Sequence, residues 1–193
     1  MNRYELEHII RASGTVAEVK ELIVIGSQSI LGQYPDISEQ IVETNKSVKI
    51  TPINPGVLYM SREADIIVPG NPEKSDLIDA ILGELSQFHD TFGYYAQGVD
   101  FTTATLPTNW QRRLISICNK NTNGITGLCL EVHDMLVSKL VANREKDNKY
   151  VKAAINNKLV KKEILLDRID QTDIDDVIKE NIRTKVIGIF NNE

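Results

Sequence analysis

The sequence predicts an α+β fold, in which a mixed β-sheet is flanked by helices and followed by a C-terminal helical part. Three observations lead to this prediction. Short β-branched runs alternate with helix-like segments from the N-terminus onward, two further strand-like runs then follow each other across a polar loop, and only helical patterns come after them. We therefore expect an α/β core over residues 1–130 and a helical part over residues 131–193 that packs on this core.

Hydrophobic periodicity and the positions of glycine and proline give the expected elements. In the first half these are a helix over residues 4–12 that stops at Gly14, a strand over 21–26, a helix over 27–33, a helix over 36–44, irregular structure over 48–55, a strand over 56–69 and a helix over 75–85. In the second half they are a short strand over 94–96, strands over 112–118 and 125–130, and helices over 132–144, 147–157, 159–169 and 173–187.

Composition is that of an ordinary folded protein. The chain has 193 residues, 41% hydrophobic and 25% charged, which suffices for one substantial core. A net charge of −5 disfavours a protein that coats nucleic acid non-specifically. No signal-peptide pattern and no run of about 20 apolar residues is present, so we expect a cytoplasmic protein with no membrane partner. On that expectation Cys118 and Cys129 are reduced and buried.

Two carboxylates lie two residues apart in the strand expected over residues 56–69. Side chains at this spacing point to the same face of a strand, so Glu63 and Asp65 are neighbours there. Like charges in a largely apolar stretch repel each other unless a cation compensates, and Mg²⁺ is the usual cation where phosphates complete its shell. The alternative is an edge strand whose two acids face water.

Gly26 and Ser27 stand where the first strand turns into a helix. Glycine lets backbone approach a ligand closely, and the first amides of a helix bind anions, so this turn is suited to a phosphate. Ordinary helix capping by Ser27 is the alternative. The sequence contains neither a Walker A loop nor a GxGxxG pattern after a strand, which disfavours the common P-loop and dinucleotide-binding folds.

Lys139 starts from the apolar face of its expected helix, beside Met135, Leu136 and Leu140. Such a lysine either snorkels outward to water or points into a cleft, where it would meet phosphate or the two acids. Asp147 follows near the start of the next expected helix, where N-capping is one role open to it. The basic stretch over residues 139–162 is typical of a solvated helix surface, and a local basic groove is the alternative.

The order of these motifs resembles nucleotidyltransferase-fold proteins of the polymerase-β-like superfamily, and within it the bacterial group related to the AbiEii and MenA toxins. The motifs that carry the resemblance span about residues 22–155 and are Ile25-Gly-Ser27, Ser61-Arg-Glu-Ala-Asp-Ile-Ile67, Leu106-Pro-Thr-Asn-Trp110, and residues 129–140 with Arg144 and Lys146-Asp147.

This resemblance implies a set of roles and a reaction. The implied nucleotide-binding residues are Gly26, Ser27, Lys139 and Arg144, the metal ligands for Mg²⁺ or Mn²⁺ are Glu63 and Asp65, and the catalytic residues are these two acids with Lys139 and Asp147. The implied reaction moves a nucleoside monophosphate from an NTP to an acceptor, with tRNA or other RNA among the candidates. The implied setting is a toxin or phage-defence component with a cognate antitoxin protein.

Two departures from the family pattern keep other interpretations open. The first acid is Glu63 where the family usually has Asp, and the interval from Ser27 to Glu63 is longer than in the toxins. Glu63 in place of Asp fits a catalytically silent domain that binds a protein or nucleic-acid partner. No motif assigns a third metal-binding acid, for which Asp100 and Glu131 are the candidates. A purely structural module, in which Lys139 snorkels and both acids are solvated, is the remaining alternative.

Overall fold

A computed structural model of the protein describes residues 1–37 and 55–191. These residues form a mixed five-stranded sheet flanked by helices, which confirms the predicted α+β fold. The strands are β1 (Glu21–Ile25), β2 (Glu63–Ile67), β3 (Tyr95–Gly98), β4 (Ile115–Ile117) and β5 (Thr126–Cys129). The helices are α1 (Arg3–Val16), α2 (Ile30–Gln33), α3 (Pro72–Leu82), α4 (Gln87–Phe92), α5 (Val132–Ala142), α6 (Glu145–Asn156), α7 (Lys162–Asp170) and α8 (Asp176–Asn191). Short 3₁₀ helices cover Ser27–Ser29, Pro55–Leu58, Phe101–Thr103 and Trp110–Arg113.

The strands lie in the order β3-β2-β1-β5-β4. The pairs β1–β5 and β2–β3 are parallel, whereas β1–β2 and β4–β5 are antiparallel. Strand β2 is therefore an inner strand, so the edge-strand alternative for Glu63 and Asp65 is wrong. Asp65 pairs with Ile25, the last residue of β1, which places the acidic strand beside the turn that follows β1.

The core explains why β1 has four consecutive buried residues, Leu22 to Ile25. A central strand covered on both faces needs apolar side chains in both directions, as a continuous hydrophobic run provides. Helix α1 continues through Gly14, contrary to the expected stop there. A Cβ atom at this position would lie 2.6 Å from Cγ2 of Ile125, so glycine permits α1 to pack closely on the segment that enters β5.

Two expected strands are shorter than the sequence suggested. Residues 55–58 form a 3₁₀ helix, and strand structure begins only at Glu63. Leu58 lies in that 3₁₀ helix and its side chain is fully buried in the core. The apolar residue that suggested a strand is therefore explained by core packing of a 3₁₀ helix. Likewise, the chain before β4 is a 3₁₀ helix that buries Trp110. The expectations for residues 36–44 and 48–55 fall almost wholly outside the described residues.

From α5 onward the described chain is helical, as predicted, with helix ends shifted by one to a few residues. Helix α5 contacts α6 and α7, and α7 contacts α8. The division into residues 1–130 and 131–193 stays a prediction. Among the described residues, no helix is both long enough and apolar enough to cross a membrane.

The two cysteines are free thiols in different surroundings. Cys129 ends β5 and is buried as expected, and this burial raises the pKa of its thiol to about 12. Cys118 is exposed, contrary to the expectation, because it follows the last residue of β4 at the start of a polar loop.

Candidate active site

A cavity of about 480 Å³ lies where the end of β1 meets β2, with α5 and α6 forming the opposite wall. This volume is ordinary for a site that binds a small molecule. All residues predicted for the site line the cavity: Gly26, Ser27, Glu63, Asp65, Lys139, Arg144 and Asp147. The fold thus brings together groups that are far apart in the sequence, while the individual roles stay predictions.

Gly26 forms the turn at the end of β1 with φ of +71°, a conformation that favours glycine. A Cβ atom added there would lie 1.9 Å from Oδ2 of Asp65. Only glycine therefore lets the carboxylate of Asp65 sit directly against this turn. The 3₁₀ helix of Ser27–Ser29 begins here without a side-chain cap, and the Ser27 hydroxyl instead accepts a hydrogen bond from Nζ of Lys139 at 2.8 Å. The capping alternative for Ser27 is therefore wrong.

Glu63 and Asp65 both line the cavity from β2. Burial, and then the negative charge of Glu63 and a hydrogen bond with it, raises the pKa of Asp65 to about 7. The positive charges of Lys139 and Lys146 offset part of this rise. Tyr95, the register neighbour of Glu63 on β3, donates its hydroxyl to Oε2 of Glu63 at 3.2 Å. The hydrogen bond from Tyr95 thus holds Glu63 in place, while nearby positive charges only partly offset the repulsion between the two carboxylates.

Lys139 points into the cavity rather than out to water, because only 11% of its side chain is exposed. Its ammonium lies 3.3 Å from Oδ1 of Asp147 and 4.5 Å from the ring centre of Tyr150. Nε of Arg144 lies 2.6 Å from Oδ2 of Asp147. Arg144 occupies the N-cap position of α6, so Asp147 is not the cap but a buried acceptor in the first turn.

Opposing influences act on the two buried charges of this cluster. Burial would raise the pKa of Asp147, but the hydrogen bond from Arg144 and the charge of Lys139 outweigh it and hold this pKa below its ordinary value. Burial lowers the pKa of Lys139, and Asp147 counteracts this effect in part. Asp147 is therefore ionised and fixes the position of the lysine ammonium.

Sequence analysis did not identify Gln97 and Tyr150, which line the cavity, or Tyr95, which contacts Glu63. The Tyr150 hydroxyl donates to the Ser27 carbonyl oxygen at 2.8 Å, which braces the turn after β1. Tyr150 follows Asp147 by three residues, a spacing that places both side chains on the same face of a helix, so the sequence could have indicated its position. Tyr95 and Gln97 carry no such signal, because their place depends on the pairing of β3 with β2.

Neither candidate for a third metal-binding acid lines the cavity. Asp100 is exposed and caps a 3₁₀ helix, where its carboxylate accepts a hydrogen bond from the amide of Thr102 at 2.7 Å. Glu131 caps α5 and contacts Nδ1 of His133 at 2.7 Å. Both candidates are therefore wrong, since helix capping accounts for these acids. In the described part of the chain, no group of three or more His, Cys, Asp and Glu side chains is placed to hold a metal ion.

The chemistry of Glu63 and Asp65 nevertheless fits a hard divalent cation. Mg²⁺ prefers oxygen ligands and is commonly held by one or two carboxylates together with substrate phosphates. Two same-face carboxylates beside the Gly26-Ser27 turn offer the carboxylate part of that donor set. Burial and the neighbouring charge of Glu63 raise the pKa of Asp65 and so disfavour its charged form, an effect that a bound cation would offset.

Comparison with known proteins agrees with this arrangement. Residues 5–190 match the model of a family described as nucleotidyltransferase of unknown function (DUF6036). No curated protein and no solved structure matches the chain. The family match includes the sheet, the C-terminal helices and every residue predicted for the site. The chain therefore belongs to this family of nucleotidyltransferases.

Proposed function

We propose that this protein transfers a nucleoside monophosphate from an NTP to an acceptor, with Mg²⁺ or Mn²⁺ held by Glu63 and Asp65. The observation that carries the proposal is that the carboxylate pair lines one cavity with the Gly26-Ser27 turn and the Lys139 ammonium. Membership of a nucleotidyltransferase family supports the reaction class. The metal and the acceptor rest on the chemistry of the cavity and on the motif resemblance.

In this proposal the wall opposite the acids binds the triphosphate. Lys139 presents a fixed positive charge that would stabilise charge developing on the phosphates. Arg144 stands at the cavity with 62% of its side chain exposed, so it is free to reach an incoming phosphate. Asp147 keeps both cations oriented, and Tyr150 fixes the backbone that carries Ser27.

The wall formed by β1 and β2 would position the metal ligands. The Tyr95 hydroxyl holds the carboxylate of Glu63, and Gly26 leaves room for that of Asp65. A divalent cation bound there supplies charge neutralisation on the triphosphate and activation of the attacking hydroxyl. Glu63 is one methylene longer than the Asp usual in the nucleotidyltransferases that these motifs resemble, and its hydrogen bond with Tyr95 fixes where that longer side chain ends.

The test is label transfer from radioactive NTPs to total bacterial RNA in the presence of Mg²⁺. We expect transfer by the wild type and a loss of about 100-fold or more in Asp65→Asn, because metal-ion electrostatics contribute several kcal/mol to such reactions. Asp76→Asn is the matched control, since Asp76 is exposed on α3, outside the cavity. This control should transfer label like the wild type.

A binding measurement separates the competing interpretations. We expect Mn²⁺ to bind the wild type and the Asp76→Asn control, and to bind Asp65→Asn at least about tenfold more weakly, as measured by electron paramagnetic resonance of free Mn²⁺. Nucleotide binding without transfer would instead favour a catalytically silent domain. If neither metal nor nucleotide binds, a structural module without a ligand remains.

The resemblance to the AbiEii and MenA toxins supports a narrower proposal, that the transfer arrests bacterial growth, with tRNA as a candidate acceptor and a cognate antitoxin protein as the restraining partner. Induced expression in bacteria tests it. We expect growth arrest with the wild type and normal growth with Asp65→Asn at equal protein levels. Equal growth of both cultures would contradict the toxin role and leave the transferase proposal intact.

A further inference from the structure

A second cavity, of about 420 Å³, lies at the opposite end of α5 from Lys139. It is formed by the end of α2, the segment before β4, the start of α5 and the joint between α6 and α7. Its charged and aromatic lining residues include Tyr34, Arg113, His133, Lys158, Lys161 and Arg168. It shares no described lining residue with the first cavity and is a separate site.

Two arginines of this second cavity are anchored by one buried acid. Nε of Arg113 lies 2.8 Å from Oδ2 of Asp134, and Nε of Arg168 lies 3.3 Å from Oδ1. The Asp134 side chain is fully buried, so a single carboxylate holds two guanidinium groups in place. Nη1 of Arg113 and Nη2 of Arg168 make no hydrogen bond to the described residues and remain available as donors.

The other charges of the cavity add to this positive excess. Lys158 and Lys161 are exposed, and their ammonium groups form no ion pair within residues 1–37 and 55–191. Glu131 is the acid that lines the cavity, and its carboxylate is occupied by His133 and by two amides of α5. Asp167 also pairs with Arg168, at 2.9 Å. A concave surface with excess positive charge attracts anions.

The chemistry of these donors suits an oxyanion such as phosphate. Planar guanidinium groups present paired N–H donors that match the oxygens of phosphate, while lysine ammonium groups contribute charge. The volume of the cavity accommodates a phosphate together with its sugar. The anchoring of Arg113 and Arg168 by Asp134 reduces the side-chain entropy that binding would cost.

Helix α5 carries lining residues of both cavities, Lys139 of the first and His133 of the second. His133 and Lys139 are six residues apart on α5, which corresponds to about 9 Å along the helix axis. A stacked nucleic-acid strand rises about 3.4 Å per nucleotide, so this separation corresponds to about three nucleotides. A strand that follows α5 from one cavity to the other would therefore need about three nucleotides or more between them.

We propose that the second cavity binds a backbone phosphate of an RNA acceptor, a few nucleotides from the RNA end that enters the catalytic cavity. This inference rests on the proposed function and names RNA as the acceptor class. It also gives Lys158 and Lys161, in the basic stretch of the sequence, a binding role instead of a purely solvated one.

The test measures binding of a fluorescent 20-nucleotide single-stranded RNA by anisotropy, in EDTA and without NTP. For the double variant Lys158→Ala/Lys161→Ala we expect affinity to fall about tenfold and the slope of log affinity against log salt to fall by about 1.4, or 0.7 per lost charge. The fold should survive, because Lys161 contacts His133 only through its backbone amide. Lys20→Ala/Lys120→Ala removes the same charge from exposed positions outside both cavities and should bind RNA like the wild type.

Unchanged RNA affinity in the Lys158/Lys161 double variant would overturn the inference. Displacement of the RNA by an equimolar amount of free AMP would also overturn it, since the site would then belong to a mononucleotide. The transfer assay keeps the two proposals separate. If the wild type transfers label and the double variant keeps its RNA affinity, only this inference fails. If the wild type transfers nothing but the double variant loses RNA binding, the phosphate site stands and the proposed function fails.

Discussion

The first cavity has a sheet wall, formed by β1 and β2, and a helical wall, formed by α5 and α6, and the charges on these two walls are arranged in opposite ways. On the helical wall, Asp147 lies between Lys139 and Arg144, at 3.3 Å and 2.6 Å. On the sheet wall, Glu63 and Asp65 lie side by side, and their repulsion contributes to the raised pKa of Asp65. On the helical wall the buried charges of Lys139 and Asp147 are paired with each other, whereas on the sheet wall two like charges are adjacent. This difference fits the proposed function, in which the helical wall binds phosphate and the sheet wall binds the metal ion.

The largest expected effect tests whether the helical wall supports the fold. Asp147→Ala leaves the buried ammonium of Lys139 without its carboxylate partner, and breaking a buried ion pair in this way costs about 3–5 kcal/mol. We expect the free energy of unfolding, measured by urea denaturation, to fall by that amount.

The matched control for Asp147 is Glu145→Ala, in the same first turn of α6. Glu145 is exposed and pairs with Lys149 only at the surface, so its removal should leave the urea midpoint unchanged. An Asp147→Ala variant as stable as this control would show that the helical wall does not depend on its ion pair and would remove the contrast between the walls.

A smaller effect tests how closely the two walls approach each other at Gly26. Gly26→Ala introduces a Cβ atom against Asp65 in addition to the cost of a positive φ. Gly70 also has a positive φ, +72°, but nothing within 4 Å of an added Cβ atom, so Gly70→Ala reports the cost of a positive φ without a contact, about 1–2 kcal/mol. Gly26 combines its φ with a ψ of −165°, a region open almost only to glycine, which adds to its cost. We expect Gly26→Ala to lose more stability than Gly70→Ala and also to lose Mn²⁺ binding. Equal losses and intact Mn²⁺ binding would show that Asp65 can move away from the turn.

The elements predicted best from the sequence are those determined locally. The helix pattern over residues 75–85 depends on contacts three and four residues apart, and α3 indeed covers most of it. The prediction of a strand over residues 56–69 was wrong in its first half. Leu58 is buried in the core but lies in a 3₁₀ helix, and a buried residue has the same apolar character in either element. Burial is visible in a sequence, but the element that buries a residue depends on distant packing.

The same distinction applies to the site. Glu63 and Asp65 could be placed on one face because strand alternation is a local property. The contact of Tyr95 with Glu63 could not be foreseen, since it requires the pairing of β3 with β2. Asp100 and Glu131 were wrongly considered as metal ligands because a capping carboxylate and a free one look alike in sequence.

The smallest expected effect has the opposite sign and bears on the sheet wall. In EDTA, Asp65→Asn should raise the free energy of unfolding by about 1–2 kcal/mol, because it removes a partly buried charge beside Glu63. The wild type should regain the difference when Mg²⁺ is added in excess, since a ligand that binds only the folded state stabilises it, and Asp65→Asn should not respond. Thermal denaturation with and without Mg²⁺ measures both effects. Destabilisation by Asp65→Asn in EDTA would mean that the acid pair contributes to folding as Asp147 does, and the sheet wall would then need no cation.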